Sequence, residues 1–247
     1  MYLPRPIMLL SISSTTMPIN RQLLITCAAL LTSILFFEFT DMDIFLQDYL
    51  YNFESGKWII DSKEPISKFL LYDGIRVLYV VLLLLALGVR IFLRKKTFLQ
   101  PFKQGLLIVC ISLVLIPAVV NIAKVTTNIP CPKDLIHYDG DYPPISLFGG
   151  YPENFEQENN IRCYPAGHAS GGFALMSLFF LFNSRRAQTI ALASSMTLAW
   201  TVGFYKIGMG DHFLSHTITT MLLAWLLILL TAKFVREANW GKSLFKN

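Results

Sequence analysis

Five side chains able to hold charge or move protons bracket one half of the chain: Lys124, His168, Lys206, His212 and His216. Imidazole changes charge near neutral pH, so two facing histidines can attack, donate and accept protons at one reacting centre. Ammonium groups beside them hold the oxygens of an anion. A phosphoryl group calls for that set: a nucleophile on one side, a proton donor for the leaving oxygen on the other, and positive charge on its equatorial oxygens. No cofactor is required. The small residues of "GHASGG", Gly167 to Gly172, have two compatible readings. They open a helix N-terminus to an approaching anion, or they allow close packing of membrane helices.

Such residues act together only if the fold brings them to one level. Of the 247 residues, 54% are hydrophobic and only 15% charged, with mean hydropathy +0.51. That balance identifies a membrane protein, because an ordinary soluble domain carries about 25% charged residues. About 20 mostly apolar residues cross a bilayer as a helix. Six segments qualify, near residues 22–40, 75–93, 105–123, 168–183, 187–206 and 216–234. The expected fold is all-α, a single domain over residues 1–247 built as a six-helix integral membrane bundle.

Basic residues set the orientation. Arg5 and Arg21 precede the first span, Arg94, Lys95 and Lys96 separate the second and third, and Arg185 and Arg186 separate the fourth and fifth. Lys233, Arg236, Lys242 and Lys246 follow the sixth. The alternate loops are acidic, so the positive-inside rule makes both termini cytoplasmic. The net charge of +5 then reflects topology and does not call for nucleic acid. Residues 1–20, broken by prolines, read as a tail at the membrane surface. The acidic and aromatic segment 41–70 reads as a helix lying in the outer interface. Pro117 is expected to kink the third span.

With that topology all four histidines, including His137, lie on the outer side. The long outer loop, residues 124–167, is rich in Pro, Gly, Tyr and Asn, and loops of this length are usually functional or disordered. It carries Cys131 and Cys163. In an oxidising compartment these two are expected to pair, a cross-link worth roughly 3 to 4 kcal/mol on the chain-entropy estimate.

The chain resembles the type 2 phosphatidic acid phosphatase family. That family's first signature is Lys, six residues, Arg-Pro; "KVTTNIPCP" keeps Lys124 and Pro132 with Cys131 at the arginine position. The second is Pro-Ser-Gly-His; "PAGH" keeps Pro165, Gly167 and His168. The third is Ser-Arg, five residues, His, three residues, Asp; here His212 stands in place, Lys206 replaces the arginine and His216 the aspartate. "GHASGGFAL", "HFLSH" and the Cys-Pro pair are similar to a divergent bacterial branch.

The resemblance implies that His212 attacks phosphorus to give a phosphohistidine, and that His168 protonates the leaving alkoxide and then activates water. Lys124 and Lys206 would bind the phosphoryl oxygens with Gly167, and Arg162 or Lys133 would stand in for the missing arginine. His216, one turn after His212, would orient it by a hydrogen bond, or Asp211 would take that role. The implied protein is a metal-independent lipid phosphate phosphatase of a bacterial inner membrane, its site facing the periplasm and its partners the bilayer and a lipid. Candidate substrates are lipid A phosphates, undecaprenyl pyrophosphate, phosphatidylglycerol phosphate and phosphatidic acid, with lipid A or a related envelope lipid favoured. Two rivals start from the same residues: a zinc enzyme using His212, His216 and His168 or Asp211, and a phospholipid-binding or transport protein without catalysis.

Overall fold

The computed structural model describes residues 17–61, 65, 69, 73–93, 95–157 and 159–238. Most of the expected surface tail falls outside these residues, as do Arg5, Arg94, Lys242 and Lys246. Seven α-helices are present among the described residues: α1 (Ile19–Glu38), α2 (Met42–Asp48), α3 (Gly74–Phe92), α4 (Lys103–Thr127), α5 (Gly167–Ala174), α6 (Arg185–Gly208) and α7 (Leu214–Glu237). The chain is mostly helical, and its one described sheet is a hairpin of β1 (Tyr51–Asn52) and β2 (Lys57–Trp58).

Four helices, α1, α3, α4 and α7, are long and apolar enough to cross a membrane. The expected spans at 168–183 and 187–206 differ from this. Helix α6 has the length, 24 residues, but its Ala, Ser, Thr and Gly content lowers its hydropathy. Helix α5 has only 8 residues and continues as a 3-10 helix through Leu175–Phe180. Gly171 and Gly172 weaken the α-helix there, since glycine gives up the most backbone freedom on ordering. Close packing is what they supply. A Cβ on Gly172 would lie 2.8 Å from Cα of Ala199 in α6.

The core lies among α4, α5, α6 and α7, where Leu113, Ile116, Val120, Phe173, Ala199, Ala224 and Ile228 are buried together. Helix α1 packs along α7. Helix α3 leans on α4 and α5 and contributes no fully buried residue. Pro117 lies inside α4 and has no N–H to give to the carbonyl of Leu113, four residues earlier. The hydroxyl of Tyr79 on α3 donates to that carbonyl instead. This bond fastens α3 to α4 beside the proline, and a buried polar group that would otherwise be costly is satisfied.

Segment 41–61 is not one interfacial helix. It folds as α2 and the hairpin, and together they clamp the turn between α6 and α7. The Gln47 amide donates to the carbonyl of Ile207 over 2.9 Å, and the Ile60 N–H donates to that of Gly208 over 3.2 Å. The Trp58 ring lies against Gly210. Tyr51, Leu135, Tyr138 and Phe213 form a small apolar cluster beneath this clamp.

Candidate active site

The turn held by that clamp carries Lys206, Asp211 and His212. Gly210 reverses the chain there with φ +72°, and Lys133 donates its backbone N–H to the Gly210 carbonyl over 3.0 Å. From the opposite side, the loop before α5 is tied to α7. The Ala166 N–H donates to the carbonyl of His216, and the Thr220 hydroxyl donates to that of Ala166. These bonds fix where α5 begins, and therefore where His168 stands.

The two histidines meet. His168 Nδ1 lies 3.2 Å from His212 Nε2, and their ring centroids are 5.4 Å apart. His212 is buried, whereas His168 is exposed to a cavity of about 560 Å³ bounded by α3, α4, α5 and α6. Polar side chains on its wall include Arg76, Tyr79, Asn121, Lys124, His168 and Ser170. His168 thus stands between the cavity and His212. Burial first, then the charges of His216, His168, Lys124 and Lys206, holds His212 well below the ordinary imidazole range. It is neutral at pH 7.

Lys124, near the C-terminal end of α4, lies over Gly167. A Cβ at that glycine would approach Lys124 Cδ to 3.1 Å and Nζ to 3.2 Å. The glycine therefore gives the amine its place beside His168. Lys206 is buried and donates to Asp211 over 2.8 Å, while Lys133 pairs with the other carboxylate oxygen at 2.7 Å. Burial alone would raise the Asp211 carboxyl, but hydrogen bonds from Lys133 and Lys206 outweigh it and hold the group below the ordinary carboxylate value. Asp211 is thus committed to the lysines. Its side chain does not orient His212.

Nor does His216 hold His212 by a hydrogen bond, as the sequence led us to expect. Their rings meet edge to face at 5.7 Å, and His216 is enclosed by Tyr164 at 5.0 Å and Phe213 at 5.4 Å. Among the described residues no side chain bonds its buried Nδ1, and the backbone contact of the ring is with Cys163. What His212 Nδ1 meets is sulfur: Cys163 Sγ, 3.4 Å away. Cys163 is bonded to Cys131, so this sulfur carries no hydrogen and can only accept. The same sulfur rests 2.9 Å from the Asp211 carbonyl oxygen. A His212 proton on Nδ1, toward sulfur, would leave the Nε2 lone pair facing His168 Nδ1.

Two expected contributors stand elsewhere. Arg162 is exposed and does not line the cavity, and Lys133 is engaged with Asp211. His137 lies outside the site, 2.8 Å from Asp48. Conversely, Arg76 on the first turn of α3 lines the cavity although nothing in its sequence context marks it. For metal binding, Cys163, His212 and His216 present ligand atoms within 4.8 Å of one another. The donor set fits a cation poorly: the sulfur is not a thiolate, and the nearby charged side chains include Lys124 and Lys206.

No match is found among curated proteins or among solved structures. The PAP2 superfamily model matches residues 105–240, more than half the chain, from the start of α4 past the end of α7. That stretch contains both facing histidines and the two lysines beside them, and the chain belongs to the PAP2 superfamily.

Proposed function

We propose that the protein is an integral membrane lipid phosphate phosphatase working through a phosphohistidine. The observation that carries this reading is the 3.2 Å approach of His168 Nδ1 to His212 Nε2 beside a cavity that holds Lys124. His212 is the nucleophile, because burial keeps its ring neutral and its Nε2 lone pair faces the side from which a phosphoryl group must come. His168 is the acid and then the base. A phosphoryl group has to enter between the two rings, so the exposed ring of His168 swings toward the cavity while the buried ring of His212 stays. Lys124, over Gly167, takes the phosphoryl oxygens. Lys206 and Asp211 set the potential behind His212, and His216 walls off its far side from water.

Six membrane crossings complete the reading: α5 with its 3-10 continuation and α6 join the four apolar helices, both termini lie in the cytoplasm, and the site opens to the periplasmic face of an inner membrane. The basic ends of the spans and the acidic outer loops support this orientation. The substrate is an amphiphile whose phosphate lies at headgroup level while its chains remain in lipid. A lipid A type envelope lipid is the favoured member of that class. Undecaprenyl pyrophosphate and phosphatidylglycerol phosphate are the alternatives.

The test is phosphate release by the purified full chain in detergent against a panel of these lipids and phosphatidic acid, with and without chelator. We expect turnover that chelator does not reduce. His212→Ala should bring it to background, and His168→Ala should slow it by roughly 10²- to 10⁴-fold. An acid-labile phosphoenzyme should appear in the wild type and be absent from His212→Ala. Binding of every lipid without turnover of any would reject the enzyme reading in favour of a carrier.

A further inference from the structure

Cys131 stands where the first motif would have an arginine, and its sulfur is bonded to Cys163. The cavity at His168 therefore lacks a cation from that position. Two cations do line it, Lys124 from α4 and Arg76 from α3, and among the described residues neither forms an ion pair with a carboxylate.

The level of Arg76 follows from the packing of Tyr79. That ring is fixed on two sides: its hydroxyl donates to the Leu113 carbonyl left open by Pro117, and its edge lies against Gly171, where a Cβ would come within 3.2 Å. Arg76 precedes Tyr79 by one turn of α3. His168 precedes Gly171 by the same three residues on α5. Both helices run inward from the outer side in the topology proposed above, so a three-residue step raises each side chain to a similar height. Arg76 consequently faces the cavity level with His168 and Lys124, on a different helix from either.

We propose that Arg76 is a phosphate-binding residue, replacing from the second span the arginine that the first motif lacks. A guanidinium presents paired N–H groups to two phosphoryl oxygens at once, which an ammonium cannot do. Together Arg76 and Lys124 bring two unneutralised positive charges to one cavity, matching a phosphate monoester dianion.

This rests on the phosphatase reading, and the experiment separates the two. Affinity for orthovanadate and for inorganic phosphate is measured by calorimetry on the full chain in detergent, for the wild type, Arg76→Ala and Arg76→Lys. Lipid turnover is measured in parallel. We expect Arg76→Ala to weaken anion binding roughly ten- to a hundredfold, with KM rising more than kcat falls, and Arg76→Lys to recover part of the affinity. Thermal unfolding without anion should be unchanged, since Arg76 is exposed. Equal anion affinity in all three proteins, or no anion binding by the wild type, overturns the assignment of Arg76. Absence of lipid turnover by a wild type that does bind anion would instead reject the phosphatase reading and leave the Arg76 comparison decisive for the binding site.

Discussion

The sulfur of Cys163 lies 3.4 Å from Nδ1 of His212, on the ring edge opposite the nitrogen that meets His168. One covalent cross-link thereby does two things: it closes the loop between α4 and α5 across residues 32 apart in sequence, and it presents a sulfur to the back of the proposed nucleophile. A carboxylate in that place would stabilise the imidazolium character that develops during attack. A disulfide sulfur there, carrying no net charge, gives much less charge stabilisation.

Reduction should therefore lower stability and activity together. Removing a cross-link over a loop of this length costs roughly 3 to 4 kcal/mol on the chain-entropy estimate. Thermal unfolding with and without reductant should show a fall of several degrees, and Cys131→Ala/Cys163→Ala should reproduce it without reductant. The double variant should also have a lower kcat at temperatures where it remains folded, because His212 Nδ1 loses its acceptor. An unchanged midpoint and kcat would mean that the cross-link neither holds the loop nor orients the ring.

Two groups outside the spans, His212 and Asp43, shift stability with pH in opposite senses. His212 has a folded pKa well below its ordinary 6.5, so the unfolded chain binds the extra proton first on acidification. Its contribution to stability is complete above pH 6.5 and is lost as pH falls below that value. Asp43, half-buried beside Ser215, is pushed up to about 6 by desolvation, against the lowering effect of its hydrogen bonds to Ser215. Here the folded chain binds the proton first, so stability is lost as pH rises from 3.8 through about 6. Between pH 7 and 5 the two partly cancel. Asp43→Asn removes the second part, and its unfolding midpoint should fall more steeply than that of the wild type from pH 7 to 5. The acid limb of kcat/KM, which reports the free enzyme, should lie well below pH 6.5 in both proteins. Parallel midpoint curves for the two proteins would refute a proton-binding Asp43.

Hydropathy made α1, α3, α4 and α7 legible in the sequence, because a long apolar run in water-free surroundings has few alternatives to a helix. Residue type and chain order marked His168 and His212, which the structure brings into contact. What the sequence hid has a common physical cause: its partners are distant in the chain. Gln47 reaches Ile207 across 160 positions, so the clamp formed by α2 and the hairpin reads locally as a mere surface cover. Arg76 carries no local signal, since the cavity it faces is assembled from α4, α5 and α6, which lie far from it in the chain. The one-turn spacing of His212 and His216 suggested a hydrogen bond, but His212 precedes α7, so helical spacing does not apply to its ring. The change from α-helix to 3-10 helix after Ala174 follows Gly171 and Gly172, whose use against Tyr79 and Ala199 needed the third dimension.

The clamp itself makes the last prediction. Gly210 has φ +72°, and a Cβ there would lie 2.4 Å from Cε2 of Trp58. Gly210→Ala thus meets two separate penalties: about 1 to 2 kcal/mol for an L-residue in the left-handed region, and about 1 to 3 kcal/mol for pushing the indole out of its seat. Because the turn carries Lys206, Asp211 and His212, the distortion should lower kcat as well as the unfolding midpoint. Trp58→Ala in the same chain removes the steric part and leaves the backbone part. A double-mutant cycle read by thermal unfolding should then show the two changes to be less than additive, with Gly210→Ala costing less in the Trp58→Ala background than in the wild type. Strict additivity would mean that β2 does not press on the turn, and the role of the hairpin as the element that sets His212 would have to be abandoned.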